Sequence, residues 1–154
     1  MDYPVNYCEE VQNIEEGDCV QEEKELALKA FMREMFTHVT ESRHSTEEAI
    51  SKYMSKDYVQ HVNGEVFDFE NFVQHMKALK TALKSIKITI DRCMVSGNGI
   101  FMIYYADCVK NNGSPVKAKI IAYFEVKDGK IILCDELTKI LVGEKEDQDL
   151  GSRR

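Results

Sequence analysis

The sequence predicts an α+β fold: two helices, a short β-hairpin, a third helix and then a four-stranded antiparallel meander. Three observations predict it. From Ile86 to Leu141 four β-like segments (about 86–95, 100–110, 116–127 and 130–141) are separated by Gly97-Asn98-Gly99, Asn112-Gly113 and Asp128-Gly129, the dipeptides that favour tight hairpins. Upstream, Leu28, Phe31, Met32, Met35, Phe36 and Val39 recur at helical spacing. Between these regions, Asn63-Gly64 breaks two short apolar pieces, 58–62 and 65–67.

Taken in order, residues 1–21 read as a flexible acidic arm. Residues 1–25 hold nine acidic side chains against Lys24 alone, which accounts for the whole net charge of −7. The first helix follows with the stripe above. Ser45-Thr46-Glu47-Glu48 fits a capping box that opens a second helix, with Ile50, Tyr53 and Met54 inward. After the hairpin, Asp68 caps a third helix whose buried side carries Phe69, Phe72, Val73, Met76, Leu79 and Leu83. His75 lies off that stripe and is expected to face solvent. The domain spans 22–143, and 144–154 is a polar tail. At 154 residues the chain suits one domain with one core.

Composition excludes several classes. No apolar run approaches the roughly 20 residues that cross a bilayer, so no membrane partner is expected. The acidic N-terminus lacks a basic, apolar leader. The cysteines, Cys8, Cys19, Cys93, Cys108 and Cys134, are odd in number and contain no CxxC pair, which points to free thiols in a reducing, cytoplasmic setting. No metal-ligand spacing and no cofactor motif occurs, so no cofactor is expected. No basic patch with interleaved aromatics suggests nucleic acid.

Turn length sets register. Two-residue turns at Asn112-Gly113 and Asp128-Gly129 would pair Val109 with Val116, Lys127 with Lys130, and Ala122 with Asp135. One face then carries Ile88, Ile90, Ile103, Ala118, Ile120, Ala122, Phe124, Leu133 and Leu137 as the core side. Arg92, Tyr105, Asp107 and Asp135 fall on the same face, and His61 sits just before the Asn63-Gly64 bend. Glu136 falls on the outer face, together with Met102, Tyr104, Ile121, Tyr123, Ile132 and Cys134. That is much apolar surface for a solvated face and suggests a homodimer.

Ionisable groups on an apolar face either line a pocket or pair with one another. In the pocket reading, His61 transfers protons, Asp107 or Asp135 orients it or is itself the acid or base, and Arg92 and Tyr105 bind the ligand. In the other reading, Arg92 and Asp107 form an internal ion pair and His61 closes a turn.

The element order resembles the SnoaL-like branch of the nuclear transport factor 2-like superfamily. Asp57-Tyr58-Val59-Gln60-His61 is similar to its DY-x-QH stretch. Its C-terminal pattern is matched by Asp128-Gly129-Lys130-Ile131, Asp135-Glu136-Leu137-Thr138, Gly143 and Asp149-Leu150-Gly151-Ser152-Arg153. The resemblance covers about residues 22–153. It implies three helices packed in the concave side of a strongly curved, mostly antiparallel sheet, a cone-shaped α+β barrel with an apolar pocket. The family includes ketosteroid isomerases, scytalone dehydratase and polyketide cyclases, as well as binding proteins without catalysis. Where ketosteroid isomerases carry a catalytic carboxylate in a D-P-x-G bend, this chain has His61-Val62-Asn63-Gly64. The expectation is therefore a protein that binds a small apolar or partly anionic molecule. It is either a cofactor-independent isomerase, dehydratase or cyclase acting on a carbonyl compound, or a non-catalytic binding or interaction module.

Overall fold

The computed structural model describes residues 7–43 and 47–154, with side chains from residue 19 onward. Helix α1 spans Tyr7–Met35. It therefore reaches back through most of the segment expected as an arm. Its apolar stripe buries Met32 and Met35, and a π-helical turn, Phe36–Glu41, continues it. The wider turn, with Ser42 N–H bonded to the Thr37 carbonyl at 3.1 Å, keeps Phe36 and Val39 inside. Helix α2 is Glu47–Tyr53 and buries Ile50 and Tyr53. Ser45 and Thr46, expected to cap it, lie outside the described residues. Helix α3, Phe69–Ala82, opens on a capping box: Asp68 Oδ1 accepts from Asn71 N–H at 2.8 Å, and Asn71 Oδ1 accepts from Asp68 N–H at 3.3 Å.

Six strands form one open, curved sheet: β1 (Met54–Val62), β2 (Glu65–Phe67), β3 (Leu83–Ser96), β4 (Gly99–Lys110), β5 (Pro115–Lys127) and β6 (Lys130–Val142). Their order is β2-β1-β6-β5-β4-β3. All neighbours are antiparallel except β1 and β6, which run parallel. The helices cover one face, and the main core lies between Met32, Phe36, Tyr53, Phe72 and Met76 on the helices and Ile100, Met102, Ile120 and Phe124 on the sheet.

Three local irregularities correct the expected register. The β4–β5 loop has three residues rather than two. Lys110 N–H bonds to the Ser114 carbonyl at 2.9 Å, and Gly113 N–H bonds back to the Lys110 carbonyl at 2.9 Å. Gly113 takes a positive φ of 88°, so the loop is a type I turn closed by a left-handed glycine. Val109 therefore pairs with Pro115, and Cys108, Ala106, Tyr104 and Met102 point inward in place of Asp107, Tyr105 and Ile103. A bulge at Ile132 lets Val126 pair with Ile131 but Glu125 with Leu133, so Ala122 faces Glu136 and not Asp135. A bulge between Ile90 and Arg92 turns Arg92 outward and Cys93 inward.

The four residues expected on the inner face, Arg92, Tyr105, Asp107 and Asp135, therefore lie on the outer one, as does His61, expected at the bend. His61, Arg92, Asp107 and Asp135 are exposed and Tyr105 is half-buried. Among them, His61 and Asp135 are register partners across β1 and β6. Arg92 lies 3.9 Å from Asp91, not Asp107. Asp107 sits 3.7 Å from Lys117, and Tyr105 lies under the ammonium groups of Lys117 and Lys119 at 5.2 and 5.9 Å. The inner face instead receives Glu136, and α3 turns His75 inward, leaving it 6% exposed.

The C-terminal segment folds back along the domain as a strap. Lys110 Nζ, on β4, holds Asp147 at 3.2 Å, with Glu146 and Glu144 at 3.3 and 3.4 Å. Arg153 pairs with Asp149 at 2.6 Å, and Arg154 lies 3.4 Å from Glu65 and over the Phe67 ring. Leu150 is buried against Leu83, Ile86, Cys108 and Val116. Gly151 crosses Thr138 so closely that a Cβ would come within 2.8 Å of Thr138 Cβ. Only glycine fits at that crossing.

Candidate functional site

Between the helices and the inner sheet face lies a cavity of about 840 Å³, counting the part open to solvent. Its walls are mostly apolar: Met35 and Phe36 from α1 and the π turn, Phe72, Met76 and Leu79 from α3, and Ile86, Ala118, Ile120 and Phe124 from the sheet. Strap residues Leu150 and Gly151 close one side. Small Ala106 and Ala118 keep the floor low, since larger side chains at those inner positions would fill it.

Polar groups converge on one wall. β1 presents Tyr58 and Gln60, β4 presents Tyr104, and β6 presents Cys134, Glu136 and Thr138. They meet because β6 runs beside β1, which brings Gln60 to Glu136, and because the long Tyr104 side chain reaches Glu136 from β4 across β5. Tyr58 OH donates to Gln60 Oε1 at 3.1 Å. That bond orients the amide, so Gln60 Nε2 donates to Glu136 Oε1 at 2.5 Å. Tyr104 OH donates to Glu136 Oε2 at 3.2 Å.

Burial pushes the Glu136 carboxyl up to about 7, against the two donors, which hold it down. The carboxyl thus populates both forms near neutral pH, which suits a general acid or base. Burial raises the Tyr58 and Tyr104 phenols well above their ordinary range, and both remain O–H donors. The Cys134 thiol is likewise raised by burial and stays protonated, as does Cys108, pushed up to about 11. At the π turn, Lys80 bonds the Thr40 carbonyl, and burial lowers its ammonium to about 8.

His61 and Asp135 were expected at the site, and it is their chain neighbours Gln60 and Glu136 that line the cavity. The chain carried one usable signal. Lys117 and Lys119 belong on the outer face by their charge, and an Asp107 opposite Lys117 fits the observed pairing but not the expected one. Among the described residues no cluster of histidine, cysteine and carboxylate side chains is arranged to hold a metal ion. No helix among them is long and apolar enough to cross a membrane.

A curved, open, mostly antiparallel sheet wrapped on three helices, with a polar group set into an apolar interior, defines the nuclear transport factor 2-like class of fold. Solved structures share it. The chain is similar to AclR from Streptomyces galilaeus, a candidate hydroxylase, at 15% identity and a TM-score of 0.65, covering 75% of this chain and 76% of that one. It is also similar to IdmH from Streptomyces antibioticus, a candidate polyketide cyclase, at 14% identity and a TM-score of 0.58, covering 70% and 91%. In sequence it is 34% identical over 125 residues to an uncharacterized protein of Schizosaccharomyces pombe, covering 80% of this chain and 95% of that protein. The model of the SnoaL-like domain matches residues 32–133, and the chain belongs to that family.

Proposed function

We propose that the cavity binds a small, largely apolar carbonyl compound and that Glu136 is the acid–base group of a cofactor-independent isomerisation, dehydration or cyclisation. The observation that carries this reading is the Glu136 carboxyl, poised near neutrality on the wall of an open apolar cavity. As carboxylate it accepts a proton from the carbon beside the carbonyl. As carboxylic acid it returns that proton, to carbon or to oxygen. Gln60 and Tyr104 hold both carboxyl oxygens in place, and Tyr58 fixes the Gln60 amide. The likeness in fold to a candidate polyketide cyclase and a candidate hydroxylase supports chemistry on organic small molecules.

The competing reading is a non-catalytic binding or interaction module. Its supporting observation is that Tyr58, Gln60, Glu136 and Tyr104 satisfy one another internally. The open volume beside them weighs against it, because a purely structural network would be packed over.

A generic carbon acid separates the two. Nitrobenzisoxazole loses its ring C–H proton to a base as its N–O bond breaks, releasing a coloured nitrophenolate. We expect turnover above the buffer rate, rising with pH through about 7, and its loss in Glu136→Gln. Equal rates in wild type and Glu136→Gln would sink the reading.

We further infer that two copies pair through the outer sheet face in a cytoplasmic setting. Met94, Phe101, Ile121 and Leu137 are 69%, 54%, 50% and 65% exposed there. Gel filtration should give twice the 17.7 kDa monomer mass, and the monomer mass in Ile121→Asp. A wild-type monomer would refute the pairing.

A further inference from the structure

Four polar residues line the cavity without a part in the Glu136 network: Thr40, whose carbonyl accepts from Lys80, and Thr138, Cys108 and His75. Cys108 is a protonated thiol in an apolar cluster. Thr138 is covered by Gly151. His75 stands apart from both. Its Nδ1 lies 2.5 Å from the main-chain carbonyl oxygen of Arg153, 78 residues away. A carbonyl oxygen only accepts, so Nδ1 carries the hydrogen. Burial lowers the ring's affinity for a second proton, although the Arg153 bond opposes this. The remaining nitrogen, Nε2, therefore presents a lone pair. It has no hydrogen-bond partner among the described residues.

The surroundings keep that lone pair in a nonpolar setting. The Phe67 and Phe72 rings flank the imidazole at 5.9 and 6.4 Å. No fully buried side-chain nitrogen or oxygen among the described residues lacks a partner, so the unpartnered Nε2 keeps accessible surface from which a hydroxyl can reach it. The strap that supplies the Arg153 carbonyl is itself fastened at both ends, through Lys110 to Asp147 and through Arg154 to Glu65. The carbonyl is thus a fixed point, and it selects one imidazole tautomer.

We propose that His75 is a second ligand-contacting residue of this cavity, its Nδ1–H tied to the Arg153 carbonyl so that Nε2 accepts a hydrogen bond from a hydroxyl on the ligand. The ligand class then narrows. Glu136 serves the carbon beside a carbonyl, and His75 serves a phenolic or enolic O–H elsewhere on the same apolar skeleton. The strap completes the site, because without the Arg153 carbonyl nothing holds the tautomer. The inference rests on the cavity being a ligand site, as proposed above.

Naphthol and naphthalene test it, since they differ only in the hydroxyl. Binding of each to the full chain is read by fluorescence, in wild type, His75→Phe and Glu136→Gln. The long-range ¹⁵N spectrum of the wild-type imidazole is recorded with and without naphthol. We expect free His75 to show a protonated Nδ1 and a bare Nε2, with the Nε2 resonance moving when naphthol binds. In His75→Phe, naphthol affinity should fall about fivefold to tenfold, the worth of one hydrogen bond, with naphthalene affinity unchanged. Equal changes for both probes, or an unmoved Nε2 resonance with naphthol bound, would overturn the inference. If naphthol binding depends on Glu136 but not on His75, the Glu136 reading stands and this one falls. If neither probe binds wild type, both fall. The wild-type spectrum decides the matter even where His75→Phe does not fold.

Discussion

Asp135 and Glu136 are chain neighbours with the same functional group, yet they live in different solvents. Asp135 is exposed on the outer face, in register with His61 and Tyr123. Glu136 sits against the cavity, held by Gln60 and Tyr104, with burial pushing its carboxyl up to about 7. Nothing about carboxylate chemistry separates them. A strand's two-residue alternation does, and one extra residue, Ile132, decides which of the two enters. Inner and outer faces of this sheet differ by parity before they differ by composition.

The most drastic way to break the contrast is to shift the parity of β6 beyond its bulge. Inserting one alanine between Leu133 and Cys134 should place Asp135 opposite Ala122, swing Asp135 and Leu137 toward the helices and expel Cys134 and Glu136. We expect no cooperative thermal transition and loss of the near-ultraviolet dichroism. A native-like spectrum would show that a further bulge can absorb the insertion.

Substitutions on adjacent β-strand positions sharpen it. Phe124, 3% exposed, packs edge-on against Phe36, while Phe101, 54% exposed, lies one strand away on the opposite face. Phe124→Ala should cost about 3–5 kcal/mol by urea denaturation, as large-to-small core changes do. Phe101→Ala, measured at concentrations where the protein is monomeric, should cost less than about 1 kcal/mol. Similar losses at both sites would mean that the outer face is covered.

The pH dependence of stability carries the same contrast. The folded Glu136 pKa, about 7, lies above its ordinary 4.5, so between these values the native state binds the extra proton. Stability from this group is full below about pH 4.5 and is lost as pH rises through about 7. The shift corresponds to roughly 3 kcal/mol. Comparing wild type with Glu136→Gln isolates it from other groups, including His75, whose lowered pKa acts in the opposite sense. The difference should grow between pH 5 and 8 in favour of the variant. Asp135→Asn should leave the transition in place, moved slightly downward, because the neighbouring charge that helps raise it is gone.

The smallest expected effect is that of Tyr104→Phe. Its hydroxyl lowers the Glu136 pKa, so the variant should titrate higher than wild type and lose about 1 kcal/mol at neutral pH. A carbonyl-region infrared titration of the carboxyl would read the shift, and an unmoved midpoint would count against the hydrogen bond.

Much of the architecture was legible in the chain. Asp68 capped α3 as expected because the cap needs only local chemistry. The β5 alternation from Ala118 to Phe124 was also readable, because both of its faces are clearly apolar or clearly mixed. β4 was not, because Met102, Tyr104 and Cys108 compete with Phe101, Ile103 and Tyr105 as an inner row of equal apolarity. Its parity then hung on whether Asn111-Asn112-Gly113 closed over two residues or three, and hydrogen bonds with the Lys110 and Ser114 backbone chose three. The stretches that carried the family resemblance did contain residues of the cavity wall: Tyr58 and Gln60 in one, Glu136, Leu150 and Gly151 in the other. They brought the right segments together, and the bulge then turned Glu136 inward in place of Asp135. His75 could not be read from its helix at all, since its burial comes from a strap 78 residues downstream.

The parallel pairing of β1 with β6 has a consequence for biosynthesis. Gln60 and Glu136 are bonded across it although 76 residues separate them, while every other strand pair is a local antiparallel neighbour. As the chain emerges from the ribosome, β3, β4 and β5 can assemble in sequence, but β1 must wait at the edge until β6 arrives between it and β5. Closing so distant a pair is slow and leaves strand edges open in the meantime. The β3–β5 part of the sheet can therefore form before the wall that carries Gln60 and Glu136, which is complete only once β6 has paired with both β5 and β1.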